Sequence, residues 1–349
     1  MERSLSAFLD LTRILAALTV FLAHLSEARV GDEISDGFAR QAHSAVIVFF
    51  VLSGFVIAWA AERDGSPRDY ILNRAARIYS VALPALAVTW AIDNFLIQYH
   101  PGTISAVYQH EAIWKYLPLF LTFSTDFWFL SEDALSNLPY WSLCYEVWYY
   151  VVFGALVFAR GYWRWIIVTA ALLMMGPRLW LLWPIWLAGA CLHRLPPLSV
   201  GRSRFLLLLS LSGLIALKAI GIEHVLNDFV DRLTGGFASS HLRYSQFFAG
   251  DYLVALTIVG AIHAARGADL AFLARLRRPI AAAASITFSM YLVHFPLFLF
   301  FGALFPRQVL VIGLLSLGVI ILFGLTFERN KMLLRRVFAA FWPLRPAYR

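Results

Sequence analysis

Residues 9–24 read LDLTRILAALTVFLAH and set Asp10, Arg13 and His24 in a stretch otherwise as apolar as lipid. On an α-helix the step from Arg13 to His24 is three turns plus about 20°, so the two share one face, about 16 Å apart along the axis. Asp10, one turn before Arg13, is placed to pair with it. An ionisable group costs at least ~2.5–3.5 kcal/mol at the bilayer centre, so it normally faces protein or a wet cavity. Four other stretches carry comparable groups: VIVFFVLSGFV (46–56) with Ser53 and Gly54, YILNRAARI (70–78) with Arg74 and Arg77, YWSLCYEVWYY (140–150) with Glu146, and SITFSMYLVHFP (285–296) with Ser289, Tyr291 and His294. A histidine titrating near neutrality is a natural general base, and a carboxylate partner fixes its tautomer and stabilises its cation. Arginine's planar, permanently charged fork suits phosphate. Arginines near the inner end of a span equally serve topology or snorkel to headgroups, and the residues alone leave those readings open.

The elements that must position these groups are membrane helices. The chain has 349 residues, 60% hydrophobic and 14% charged, with a mean hydropathy of +0.70, against roughly 45–50% apolar and about 25% charged in a soluble domain. Apolar runs near the ~20 residues that cross a bilayer predict ten spans: about 7–27, 42–61, 78–97, 140–159, 163–179, 181–193, 205–222, 247–265, 280–304 and 308–327. The fifth and sixth share the break GPRLWLLWP, where Gly176, Pro177 and Pro184 fit either a tight turn or a kink. With the N-terminus inside, twenty of the 29 basic residues fall on inner segments, among them Arg63, Arg74, Arg77, Arg277 and the six from Arg329 to Arg349. Seven (Arg29, Arg40, Lys115, Arg178, Arg232, Arg243, Arg307) fall on outer loops, and Arg13 and Lys218 lie inside spans. That positive-inside bias puts both termini in the cytoplasm. The net charge of +8 then reports topology and anionic lipid contact, not nucleic acid.

This reading predicts an all-α, polytopic membrane protein with about ten helices: a single domain over 1–349, a basic tail from 328 to 349 and no appended soluble domain. The first span lacks a cleavage site and reads as retained. Cys144 and Cys191 fall inside spans, which argues against a disulfide framework or a metal site. Two outer loops are long, about 98–139 and 223–246. The rings of WKYLPLFLTFSTDFWFL in the former suit either sugar stacking or interfacial anchoring, and His224, Asp228, Asp231 and His241 in the latter read as a solvated rim. The first and ninth spans run outward and the fourth inward, so His24, Glu146 and His294 all fall in the outer half.

Taken together and in order, these five stretches resemble the integral-membrane acyltransferase family 3, which moves acyl groups, commonly acetyl, onto hydroxyls of extracytoplasmic carbohydrates and some small molecules. The matching pieces are Arg13 and His24, FFVLSGF, the Arg74-x-x-Arg77 pair, the WSLxxE that ends at Glu146, and YLVHFP. Two departures stand out. Ser80 occupies the place of a frequent proline, and Val147 that of a frequent second acid. The resemblance implies a multi-pass protein of the inner (plasma) membrane, with acyl-coenzyme A as donor, a carbohydrate or glycolipid acceptor and no metal. It implies His24, Glu146 and Arg13 as catalytic residues, Arg74, Arg77, Arg13 and Ser53 as donor ligands, and Tyr291, His294 and Trp141 as acceptor contacts. A secondary transporter would also bury His, Glu and Arg, but it often carries paired repeats, and no repeat is evident in the sequence. A non-catalytic partner of a polysaccharide-export machine would need no site chemistry.

Overall fold

A computed structural model describes residues 3–27, 35–104 and 112–342. Arg29, Arg345, Arg349, part of the first outer loop (105–111) and the side chain of Arg40 lie outside the described residues. Among those described there is no strand, and the chain runs through sixteen α-helices. In order they are α1 (Arg3–Glu27), α2 (Ser35–Asp64), α3 (Pro67–Tyr99), α4 (Ile113–Thr122), α5 (Trp141–Phe158), α6 (Gly161–Met175), α7 (Pro177–Leu192) and α8 (Val200–Ile220). There follow α9 (Ile222–Leu233), α10 (Phe237–His241), α11 (Phe248–Ala265), α12 (Ala271–Arg275), α13 (Arg277–Ala284), α14 (Thr287–Leu304), α15 (Val309–Phe323) and α16 (Lys331–Phe341). Eight segments are long and apolar enough to cross a membrane: this is a polytopic helical membrane protein. The shorter α6 and α7 lie at the fifth and sixth predicted positions, both below the length of the other eight.

Three boundaries differ from the sequence reading for physical reasons. Helix α3 begins eleven residues before the predicted 78 because Ser66 caps it, accepting from the Asp69 N–H at 3.0 Å, with Pro67 at its first position; hydropathy registers only the apolar part of such a helix. Gly176, at φ +76°, divides the fifth and sixth spans into α6 and α7, since a proline directly after a left-handed glycine starts a new helix. The predicted ninth span breaks at Ser285–Ile286, leaving α14 as an 18-residue helix.

Helices α2 and α7 meet at backbone contact distance. A Cβ on Gly54 would overlap the Trp186 carbonyl oxygen, and one on Gly189 would overlap that of Val51. The small-residue notch at Ser53–Gly54 is thus filled by another helix, as small residues in membrane interfaces permit. Helix α8 contrasts with this, burying only Ser203 and Ser210 and leaving Leu208 and Ile215 exposed as a lipid-facing flank.

The end remote from the arginine-rich segments is roofed by residues 123–140. Arg243 pairs with Asp126 at 3.2 Å and with Asp133 at 2.6 Å. Arg178 donates to the carbonyls of His241 (2.7 Å) and Leu130 (2.5 Å), and Asp93 on α3 accepts from the Ser136 N–H and hydroxyl at 2.9 and 2.5 Å. Burial pushes the Asp126 carboxyl up to about 7, against the opposing pull of Arg243 and Arg178. In the second loop Asp231 accepts from the Ser239 N–H at 2.8 Å, so it holds a turn.

Candidate active site

At the basic end, Arg3, Asp10, Arg13, Arg63, Arg77 and Arg277 line one open cavity of about 700 Å³. Arg13 pairs with Asp10 at 3.2 Å, the one-turn spacing read from the sequence. Arg13 and Arg77 also line a deeper chamber of about 60 Å³ together with Ser53, Ser142, Glu146, Tyr150 and Tyr291, so the two arginines stand between vestibule and chamber. The chamber admits a few heavy atoms, since one water occupies ~10–15 Å³ on the same measure.

Ser142, Glu146 and Tyr150 lie at i, i+4 and i+8 of α5 and therefore share a face. Glu146 accepts from the Ser53 hydroxyl at 2.6 Å and from Tyr150, and the Trp186 indole N–H donates to Ser53 at 3.2 Å. Ser142 and Tyr291 share a hydrogen bond of 2.8 Å. One turn beyond Tyr291 on α14, His294 Nε2 lies 2.7 Å from His24 Nδ1, with the two rings stacked at 5.0 Å and 9°. His294 Nδ1 is 2.9 Å from the Met290 carbonyl. A carbonyl can only accept, so His294 carries its proton on Nδ1 and presents a lone pair at Nε2. His24 must then donate through Nδ1, which leaves His24 Nε2 unprotonated and, among the described residues, without a hydrogen-bond partner. The tautomer of His24 is thus set by a second histidine; Glu146, the carboxylate expected nearby, is engaged by Ser53 and Tyr150 instead.

The structure therefore brings Arg13, Arg77, Ser53, Glu146 and Tyr291 to one chamber and pairs His24 with His294 beside it, the Tyr291 and His294 rings lying 6.5 Å apart. It separates two others. Arg74, although one turn from Arg77, pairs with Asp64 at 3.5 Å and faces an apolar groove of about 510 Å³ between α3, α5 and α6. Trp141 is buried, stacked on Tyr244 at 4.0 Å and 8° and lying parallel to His43 at 6.2 Å. Two neighbours went unread in the sequence. Tyr150 was visible only as the third member of the Ser142–Glu146–Tyr150 stripe. Glu328 ends a π-helical turn, Gly324–Glu328, accepts from the Ser289 N–H and hydroxyl at 2.9 and 2.8 Å and lies within electrostatic reach of Arg13 and Arg77. Among the described residues no three His, Cys, Asp or Glu side chains gather as a metal site would require.

A helical membrane protein in which two arginines line both an open cavity and a small polar chamber, with a histidine pair beside it, defines the class: a polytopic membrane protein with a buried cluster of ionisable and hydroxyl side chains. The family model described as an acyltransferase domain matches residues 6–329, and the chain belongs to this family, acyltransferase family 3. It is similar to an O-acetyl transferase of Shigella phage Sf6, 29% identical over 30% of this chain and 34% of that protein. It is also similar to the acyltransferase MdmB of Streptomyces mycarofaciens, 30% identical over 40% of this chain and 36% of that one. The chain thus spans about a third of the length of the curated relatives it matches. No solved structure matches it significantly.

Proposed function

We propose that the protein is a membrane O-acyltransferase that moves an acetyl group from acyl-coenzyme A, entering at the basic end, to a hydroxyl of a carbohydrate or other small acceptor at the far end. The observation that carries the reading is His24: held through Nδ1, free at Nε2, and adjacent to a chamber that the arginine-lined vestibule leads into. Membership of an acyltransferase family and a relative named as an O-acetyl transferase support the same chemistry, and the chamber's small volume favours a short acyl group.

Coenzyme A would rest its phosphates on Arg77 and Arg13, with Arg74 more remote, and pass its thioester between them towards Ser53. The Ser142–Tyr291 pair offers a hydroxyl to the carbonyl oxygen as negative charge develops there. His24 Nε2 takes the proton of the acceptor hydroxyl, the hydroxyl oxygen attacks the thioester carbonyl, and the tetrahedral intermediate collapses to ester and thiolate, which recovers the proton from His24. His294 Nε2 accepts the Nδ1–H throughout and stabilises the transient imidazolium, the part a carboxylate plays in hydrolytic triads. Glu146 orders Ser53 and Tyr150 and offsets the charge of the two arginines.

Purified protein given labelled acetyl-coenzyme A and candidate glycans should release free thiol and label the glycan. A transporter or a non-catalytic assembly partner would release none. The basic-residue asymmetry supports a cytoplasmic arginine end, so in sealed vesicles the donor should work only from that face and product should emerge on the other. Donor and acceptor both reacting from one face would defeat the relay while leaving the enzyme class intact.

A further inference from the structure

The far end holds a second half-used histidine. His43 on α2 places Nε2 at 3.1 and 2.9 Å from the two carboxylate oxygens of Asp251 on α11, and Asp251 is 3% exposed. An ionised carboxylate can only accept, so the neutral ring carries its proton on Nε2 and offers a lone pair at Nδ1. Nδ1 has no hydrogen-bond partner among the described residues, and the ring stays 14% exposed. The tie to Asp251 engages Nε2 alone, which leaves Nδ1 to accept from a ligand. Lys218, which bridges Ser44 (2.5 Å) and Glu223 (2.7 Å), lies within electrostatic reach of the Asp251 carboxylate.

Its position links it to the chamber. His43 precedes Val46, Phe50 and Ser53 along one stripe of α2, and those three line the chamber. Its ring lies parallel to Trp141, the residue before Ser142, whose hydroxyl meets Tyr291. His43 near the start of α2 and His24 near the end of α1 lie at the same end of antiparallel neighbours, away from the arginine-lined cavity.

We infer that the His43–Asp251 pair binds the acceptor: His43 Nδ1 receives a hydrogen bond from one hydroxyl of a polyhydroxylated acceptor, and Asp251 is the positioning residue that keeps the ring in the accepting tautomer. No bond is made or broken there; the pair orients the acceptor while another of its hydroxyls reaches His24. The inference rests on the acyltransferase reading.

His43→Gln is the decisive variant, because its amide N–H still reaches Asp251 but nothing replaces Nδ1. With tritiated acetyl-coenzyme A as donor and methyl hexopyranosides as soluble acceptors, the KM for the glycoside should rise about tenfold, the worth of one hydrogen bond, with the KM for the donor unchanged. Binding of coenzyme A by the detergent-solubilised variant reports that it is folded. If it is not, Asp251→Asn replaces it, with the same split between the two KM values expected. A glycoside KM equal to that of the unaltered protein, or a fall in kcat alone, overturns the acceptor role while leaving the enzyme intact. Failure of the unaltered protein to release thiol with any glycoside overturns the acyltransferase reading, and the inference with it.

Discussion

The two ends of one helical bundle present different basic side chains to their polar interior. At the basic end Arg3, Arg13, Arg63, Arg77 and Arg277 surround an open cavity with Asp10 as the acid among its lining residues. At the far end Arg178 and Arg243 are engaged by the roof, and two neutral histidines are each held through one ring nitrogen and, among the described residues, lack a partner at the other: His24 by His294, His43 by Asp251. Arginine stays charged at any accessible pH and holds phosphate with a fork, whereas imidazole gains and loses a proton near neutrality. Neither residue does the other's work. In the proposed mechanism, the separation of Arg13 from His24 along α1, about 16 Å, is the distance from the donor's phosphates to the base.

The largest effect should come from the far end. His24→Ala removes the lone pair that the His294 contact leaves free, and turnover should fall by ~10²-fold or more, with coenzyme A binding retained. Turnover near that of the unaltered protein would show that another group is the base. At the basic end the expected change is in donor binding. Arg77→Ala should weaken coenzyme A binding by about tenfold, the loss of one charge-assisted hydrogen bond, and Arg77→Lys should restore part of it. Arg74→Ala should cost less, because Arg74 is paired with Asp64 and faces a different cavity. Titration of coenzyme A into the three variants decides this; equal losses at Arg74 and Arg77 would merge the two cavities into one donor site.

The difference between these arginines shows where sequence reading reaches its limit. Spacing places Arg13 and His24 on one face of α1, and both reach the polar interior. Arg74 and Arg77 were read as a pair by the same rule, yet i and i+3 differ by about 60° around a helix, enough to put them on either side of the line where α3 meets its neighbours. Local periodicity fixes which face a residue occupies, not what that face meets. The His24–His294 pair spans 270 positions of chain, and no local pattern distinguishes His294 as a partner from His294 as a substrate contact. Ser53–Gly54 was legible as a notch, but not that α7 fills it, since the reciprocal Gly189 lies in a segment whose very division from α6 depended on one glycine's φ. Glu328 was hidden for a different reason: a π-turn shifts its register out of the 3.6-residue period.

A lesion in the frame that both ends share should blur the comparison. Gly54→Ala forces a Cβ into the Trp186 carbonyl, and overpacking of this kind costs typically 1–3 kcal/mol. Because Ser53 beside it contacts Glu146 and Trp186, thermal stability in detergent, coenzyme A binding and turnover should all decline together, unlike the selective losses at His24 or Arg77. Loss of one function with the others intact would mean that α2 and α7 can separate locally without disturbing the chamber.

The smallest effect is expected from the roof over the far end, and it is confined there. Asp126 is fully buried against Arg243 and Arg178, and burial outweighs both arginines in setting its carboxyl at about 7 against 3.8 in the unfolded chain. A raised folded value means that the folded state binds the extra proton, so this group's contribution to stability is full below the unfolded value and is lost as the pH rises through about 7. The roof should therefore be tighter at pH 5.5 than at pH 8. Hydrogen exchange of residues 123–137, corrected for the intrinsic rate, should show greater protection on the acid side, while α1 and α2 at the basic end, far from this carboxyl, should show no such trend. Asp126→Asn, which cannot titrate, should flatten the dependence. Were the trend to run the other way, with protection growing as the pH rises, the two arginines would be holding an ionised Asp126, and the roof would be locked by charge.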